Sequence, residues 1–244
     1  MHFRRSNAGN PSARPVSFRA VLCGFFFCFD LLHPWSAPFA AQQTDHGGLP
    51  LRIEAARWPE AEKLFRSDVR WRGGDGASSV DLGDGRVLWL FGDSFIDPSR
   101  SGVRRASDLV RNSIAIQTGY DPASAAIRFA WKMKGGKPAA FFERPGKNWF
   151  WPASGVMVGK RLLIFLMEVG TAANELGFEA RGWKAVLIHN PQADPDRWRL
   201  TYLISPQRSA LIVGSGTPLW EGGFLNVFAT DGRDGAVYLV RWPE

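Results

Sequence analysis

The sequence is poor in the residues that build thiol and imidazole sites. Of its 244 residues only two are cysteines, Cys23 and Cys28, and only four are histidines. A chain beginning at residue 42 would contain no cysteine, which excludes disulfides, reactive thiols and cysteine-bound metals. The two histidines left in such a chain, His46 and His189, are far apart in sequence, which argues against a His-based metal cluster or a Ser-His-Asp triad. Carboxylates remain as the acid–base groups, and we expect neither a metal nor a cofactor.

Long hydrophobic segments are also missing. The longest mainly apolar run, Ala20–Leu32, is shorter than the about 20 residues that span a bilayer. Four arginines precede it and small residues, Ala40 and Ala41, follow it, an order typical of a secretory signal. We therefore predict that residues 1–41 are a signal peptide, with an uncleaved anchor or a misplaced start codon as alternatives. The mature protein is expected to be secreted or periplasmic, without a membrane span.

No strong excess of one charge remains after the signal is removed. The formal net charge of the whole chain is +7, and residues 42–244 contain 26 basic and 22 acidic residues, a net charge of +4. The basic residues are scattered and do not form a stripe interleaved with aromatic residues. This distribution argues against nucleic acid as a partner.

Helical periodicity is missing from most of the chain. From residue 70 onward, short β-type runs alternate with Gly, Pro, Asn and Asp; the runs are RVLWLFGD, NSIAIQTG, AIRFAWKM, RLLIFLMEV, KAVLIHN, WRLTYLI and AVYLVRW. Several of them are wholly apolar, as strands buried on both faces of a sheet are. A helix fits only Glu54–Phe65, within a linker of residues 42–65. The sequence therefore predicts an all-β domain over residues 66–244.

A repeated unit is visible within these strands. A glycine-containing turn, a short strand, a tight turn and an apolar strand recur from Gly74, Pro152 and Gly222, with a further strand pair between copies. In the first copy Asp84 and Gly85 predict a two-residue hairpin turn. A unit of about four strands is typical of a propeller blade. We therefore predict a partial β-propeller of about three blades, either truncated or completed by another chain.

Three segments carry a resemblance to a known group of proteins. They are Trp71–Phe95, which contains GGDG and LWLFGD, Arg111–Gly119, and Asn148–Leu166. Together they resemble uncharacterised bacterial secreted domains related to five-bladed β-propeller glycoside hydrolases of the arabinanase and invertase type. The resemblance implies a five-bladed propeller and a polysaccharide substrate, with arabinan as one candidate.

The resemblance also implies site residues. It matches Asp75 to the first-blade acid and Asp93 to the acid that closes LWLFGD. It also matches Asn112 to the asparagine of an asparagine-serine pair, and we assign Asn112 to substrate binding. Glu221, in an EG pair, resembles the general-acid glutamate of arabinanase-type enzymes. In the second-blade turn, Ser154 stands where related sequences often carry an acid after W-x-W-P, and this departure counts against full activity.

The residues themselves support a carboxylate pair. Glycosidic cleavage needs two carboxyl groups about 5 to 10 Å apart. Asp75 and Asp93 lie at the ends of one hairpin and are flanked by glycines, so both could emerge at one end of a blade. Glu168 ends its apolar strand as Asp93 does, which predicts a position at the same end. The alternative is that these acids only hydrogen-bond their own turns.

Aromatic and basic residues complete the candidate site. Trp149 and Trp151, two of eleven tryptophans, could stack on sugar rings or pack in the core. Arg111 could hold sugar hydroxyls or pair with Asp93. The sequence thus predicts a secreted glycoside hydrolase-like protein acting on polysaccharide. The alternative is a non-catalytic propeller that binds glycan or a cell-envelope component.

Overall fold

The described part of the protein is built almost entirely of antiparallel strands. A computed structural model describes residues 54–203, 211–231 and 235–243, and in these ranges it contains 17 strands. The predicted all-β class is confirmed. No helix among the described residues is long and apolar enough to cross a membrane. The predicted signal peptide, residues 1–41, lies outside the described residues.

Helices are few and short. The α-helix α1 spans Pro59–Phe65, and 3-10 helices span Arg104–Ala106 and Pro195–Arg197. The strands are β1 (Trp71–Gly74), β2 (Ser78–Gly83), β3 (Arg86–Phe91), β4 (Ser94–Ile96), β5 (Asp108–Val110), β6 (Ser113–Thr118), β7 (Ala126–Ala130), β8 (Lys132–Lys134), β9 (Lys137–Ala139), β10 (Trp149–Val158), β11 (Arg161–Thr171), β12 (Phe178–Ile188), β13 (Leu200–Leu203), β14 (Leu211–Val213), β15 (Leu219–Glu221), β16 (Phe224–Asp231) and β17 (Val237–Pro243).

The first sheet is a four-stranded meander in the order β2-β3-β6-β7. Its first hairpin turns at Asp84 and Gly85, whose φ angles of 53° and 73° are those of a type I′ turn. In β2 the side chains of Val80 and Leu82 are buried, whereas Asp81 between them is exposed, which is the alternation of a half-buried strand.

A smaller sheet, with the order β1-β4-β5, packs on one face of the first sheet. Here Trp71 from β1 stacks on Phe129 from β7 with ring centroids 4.3 Å apart, and Phe91 packs against both rings. Helix α1 adds Phe65, which meets Trp89 edge-to-face at 4.9 Å. This packing fixes the loops that follow β1 and β3, which both contribute to the site described below.

The second sheet has the order β10-β11-β12-β13, and its strand β11 is buried on both faces. On β11, Leu162, Ile164 and Leu166 are buried in a cluster shared with the first sheet. Phe165, which points to the opposite face, belongs to a cluster shared with the third sheet. Because both faces are covered, the sequence of β11 is a continuous apolar run.

The third sheet departs from the predicted repeat. Strand β17 pairs with β16 along Phe224–Thr230, and β14 and β15 also pair with β16. A strand has only two edges, so β14 and β15 share the edge opposite β17, and β16 is the second strand of its sheet. By contrast, β2 and β10 are edge strands. The prediction that the third copy begins at Gly222 is therefore wrong by one strand, because the first described strand of this sheet begins at Leu211.

The segment predicted as a second-blade turn is also strand. Residues Trp151 to Gly155 lie inside β10, with a break in register between Pro152 and Ser154. Proline is tolerated here because β10 is an edge strand and the break has the character of a bulge. Ser154 is 8% exposed, so the position does not present an acid-bearing turn.

Candidate functional site

Asp75 and Asp93 are brought together by backbone pairing. Asp75 follows β1, Asp93 follows β3, and the Asp75 amide donates a hydrogen bond of 3.2 Å to the Asp93 carbonyl. The Gly92 amide in turn donates to the Asp75 carbonyl at 2.8 Å. The two loops therefore form one unit at the same end of the first sheet.

Gly92 is required by the position of the Asp75 side chain. A Cβ atom on Gly92 would lie only 2.3 Å from Oδ1 of Asp75 and 3.6 Å from Cδ1 of Trp151. Only the absence of a side chain lets the Asp75 carboxyl group rest against this loop. The glycine of LWLFGD is thus explained by the close approach of the Asp75 carboxyl group to Gly92.

Asp75 is the most perturbed acid of the site. Burial raises the pKa of its carboxyl group, the negative charge of Asp93 raises it further, and the backbone hydrogen bonds offset only part of this, so that the pKa reaches about 6 instead of 3.8. With such a pKa about a tenth of the molecules carry a protonated Asp75 at pH 7. Asp75 can therefore donate a proton near neutral pH.

Asp93 is held in place by two donors. Arg111 Nη1 lies 3.0 Å from Oδ2 in a salt bridge, and Trp151 Nε1 donates to Oδ1 at 2.8 Å. The Asp93 side chain is 23% exposed. Of the two roles considered for Arg111, the structure shows pairing with Asp93. The guanidinium also lies over the Trp149 ring, 4.2 Å from its centroid.

Aromatic rings form a wall beside the carboxylates. Trp149 and Trp151 are both half-buried, with centroids 6.1 Å apart, and Trp151 meets Phe178 edge-to-face at 5.0 Å. Nε1 of Trp149 is buried and finds no hydrogen-bond partner in the described part of the protein. Neither tryptophan is a fully buried core residue, so both leave ring surface for a ligand.

Glu168 lies beside the start of β10, the end of the strand that carries Trp149 and Trp151, but it is already paired. It stands opposite Phe150 in the β10–β11 register, and its Oε1 accepts contacts of 2.7 Å from both Arg144 and Asn148. Burial alone raises the pKa of Glu168, but the hydrogen bonds from Asn148 and Arg144 outweigh it and hold the pKa below its usual value. Glu168 is therefore an anion that anchors the loop before β10.

Asn112 lies in the interior, contrary to its expected role in substrate binding. It is fully buried, its amide donates to the carbonyls of Phe142 and Phe150, and its Oδ1 accepts from the Phe142 amide at 2.7 Å. The side chain has no free polar group directed at a substrate. Its position makes it a positioning residue that ties the segment before β10 to the first sheet.

Glu221 is not brought to the carboxylate pair. It is an exposed residue at the end of β15, next to the glycine turn Gly222–Gly223. The neighbouring Trp220 donates to the carbonyl of Met157, six residues along β10 from Trp151, which corresponds to about 20 Å of strand. Glu221 therefore lies towards the end of the sheets that is opposite the carboxylate pair. The resemblance to a general-acid glutamate depends on only two residues, Glu221 and Gly222, which belong to an ordinary turn.

The comparisons with known proteins place this fold in a family. Residues 60–239 match the model of a domain of unknown function, DUF5005. The chain belongs to the DUF5005 family. A solved structure described as a “putative hydrolase” from Bacteroides ovatus ATCC 8483 has a similar fold, with a TM-score of 0.52 and 16% identity over 76% of this chain. The chain spans 58% of the length of that protein. No curated protein matches the sequence.

Some residues that contact Glu168 or the aromatic wall of this DUF5005 domain carry no local sequence signal. Arg144 lies in a loop of mixed composition, and Phe178 begins β12 after a polar turn, so no local pattern marks either one. Asn148 precedes the Trp149–Trp151 cluster, and this adjacency could have drawn attention to it. The described residues contain no group of three or more His, Cys, Asp or Glu side chains that could hold a metal.

Proposed function

We propose that this protein is a secreted or periplasmic glycoside hydrolase-like protein that acts on polysaccharide through Asp75 and Asp93. One observation carries the proposal: Asp75, with a pKa of about 6, lies beside a second carboxylate that Arg111 and Trp151 hold in place. Glycosidic cleavage uses two neighbouring carboxyl groups, one of which donates a proton.

The sheet arrangement supports the proposed propeller. Residues of β2, β10 and the segment 214–218 line one polar cavity of about 270 Å³, so the edge strands of the first and second sheets meet the β14–β15 loop of the third sheet there. Ser78 of β2 reaches across to donate to the Ala153 carbonyl of β10 at 2.8 Å. Convergence of first strands is the arrangement around a propeller axis. We assign the three sheets to blades of the five-bladed glycoside-hydrolase type.

In the proposed reaction Asp75 acts as the acid. Its carboxyl proton passes to the glycosidic oxygen while the bond from that oxygen to the anomeric carbon breaks. The Asp93 carboxylate then takes a proton from water, whose oxygen bonds to the anomeric carbon, and solvent exchange restores both carboxyl groups. Each oxygen of Asp93 accepts one hydrogen bond from the protein, which leaves lone pairs for this role.

The aromatic wall would bind the sugar. Half-buried rings of Trp149, Trp151 and Phe178 adjoin Asp93 and offer apolar faces of the kind on which sugars stack. An arabinan-type polysaccharide is one candidate substrate of this site.

A second function is glycan binding without cleavage. It is favoured because Asp93 and Glu168 already accept hydrogen bonds from the protein. Both oxygens of Asp93 accept protein hydrogen bonds, and Glu168 is paired with Arg144 and Asn148. Ser154 is a buried strand residue and supplies no further carboxylate. In this case the same pair of acids would bind sugar hydroxyls.

The decisive experiment uses Asp75→Asn and Asp93→Asn in the full chain. A polysaccharide panel is assayed for released reducing ends, and each variant should lose about 10²–10⁴-fold in turnover while remaining folded. Asp84→Asn, an exposed acid of the same hairpin whose left-handed φ suits asparagine, is the matched control. Full activity in either variant would remove that residue from the mechanism. A parent that binds glycan without cleaving it, with binding lost in both variants, would favour the second function.

A further inference from the structure

A cavity of about 630 Å³ lies beside the Arg144–Glu168 salt bridge, next to the second sheet. Its walls come from β8, from the loop before β10, and from β10, β12 and β13. This volume falls in the range of about 300–1,000 Å³ that small-molecule sites occupy. Tyr202 and Glu143 on its rim are exposed, so the cavity is open to solvent.

The interior of the cavity is aromatic. Phe141 and Phe150, which are 2% and 3% exposed, form its inner surface. The Tyr202 ring lies nearly parallel to that of Phe150, at 19° and 6.1 Å between centroids. Such surfaces suit a flat or chair-shaped ring with an apolar face.

Two ammonium groups border this apolar interior. Lys132 lies 4.8 Å from the Phe141 centroid, and Lys184 is half-buried on the wall formed by β12. Arg144 neutralises Glu168, and Lys134 pairs with Glu143 at 3.6 Å. The charge of Lys184 also acts on Glu168. Among the described residues, however, neither Lys132 nor Lys184 forms a salt bridge, so both ammonium groups can meet an incoming anion.

We propose that this cavity binds a sugar ring that carries a carboxylate, as a uronic acid residue of an acidic polysaccharide. The inference rests on the proposed function for the choice of a sugar. Phe150 stands between Trp149 and Trp151 in β10, and successive side chains of a strand point to opposite faces. A polysaccharide crossing the start of β10 would therefore place one residue at the carboxylate pair and another in this cavity.

Tyr202 would add a hydrogen bond to the bound acid. Burial raises the pKa of its hydroxyl group, and the charge of Glu143 raises it further, so the hydroxyl keeps its proton at neutral pH. A protonated phenol donates to a carboxylate instead of repelling it. Lys184, Lys132 and Tyr202 thus form the proposed set of donors around one anionic group.

Calorimetric titration of the full chain with paired sugars tests the proposal. Galacturonate and galactose differ only in the carboxylate, and we expect galacturonate to bind at least tenfold more tightly. Lys184→Met should weaken galacturonate binding at least tenfold, about 1.4 kcal/mol, without changing galactose binding. Lys160→Met, an exposed lysine in the β10–β11 turn, removes the same charge elsewhere and should bind as the parent does. Equal affinity for the two sugars, or no effect of Lys184→Met, would overturn the proposal.

Two further binding measurements distinguish this cavity from the carboxylate pair and show whether the ligand is a polymer. Asp75→Asn should still bind galacturonate, so an inactive carboxylate pair would leave the cavity assignment intact. Trigalacturonate should bind more tightly than the monomer if the ligand is a polymer. Equal affinity for trimer and monomer would contradict the polysaccharide assignment.

Discussion

Gly92→Ala tests the geometry of the carboxylate pair. The added Cβ would lie 2.3 Å from Asp75 Oδ1, and two backbone hydrogen bonds, to the carbonyls of Asp75 and Asp93, hold the backbone of both loops in place. The clash is therefore relieved by rotation of the Asp75 side chain, and overpacking costs about 1–3 kcal/mol. We therefore expect the free energy of unfolding to fall by about 1–3 kcal/mol, measured by urea denaturation at neutral pH.

A double-mutant cycle assigns the cost to Asp75. In an Asp75→Ala background the obstructing oxygen is gone, so Gly92→Ala should cost less than about 1 kcal/mol. Gly216→Ala is the control, because its Cβ would lie 3.6 Å from the nearest atom, an ordinary contact with Phe228. If Gly92→Ala were neutral, or equally costly with and without Asp75, the close approach would be refuted.

Three further predictions concern stability. Asp75→Asn should be about 1–2 kcal/mol more stable than the parent at pH 8 but equally stable near pH 3, because a pKa raised from 3.8 to about 6 makes the parent lose stability as the pH rises between these two values; identical pH profiles would refute it. Asn112→Ala should cost about 3 kcal/mol in urea unfolding, since it leaves buried backbone groups without partners, and a cost under about 1 kcal/mol would contradict its positioning role. Glu168→Gln should lower the melting temperature by removing the charge paired with Arg144, and should do so less in high salt.

The features that the sequence predicts well are those fixed by local pattern. Apolar alternation and wholly apolar runs predict the strands, and Asp84–Gly85 predicts the hairpin turn, because left-handed φ angles favour these residues. Asp75 and Asp93 flank one hairpin, so their proximity follows from a short stretch of chain. Glycine at position 92 signals a close approach, although the sequence does not say to what.

The features that it predicts poorly depend on distant segments. Asn112 sits beside Arg111 in sequence, but its partners Phe142 and Phe150 are 30 and 38 residues away. Glu221 has the right neighbours for a catalytic glutamate, yet strand direction places it towards the other end of the sheets. The third repeat is misregistered because β14 and β15 are each only three residues long and carry little pattern of their own.

The most direct test of the carboxylate pair is a titration of Asp75 itself. The carboxyl carbon of Asp75 is followed by NMR from pH 3 to pH 9 in the parent and in Asp93→Asn. Because burial and the charge of Asp93 together raise the pKa, we predict a value of about 6 in the parent and a lower value in Asp93→Asn. A parent value near 3.8, or a value unchanged by Asp93→Asn, would contradict the paired site.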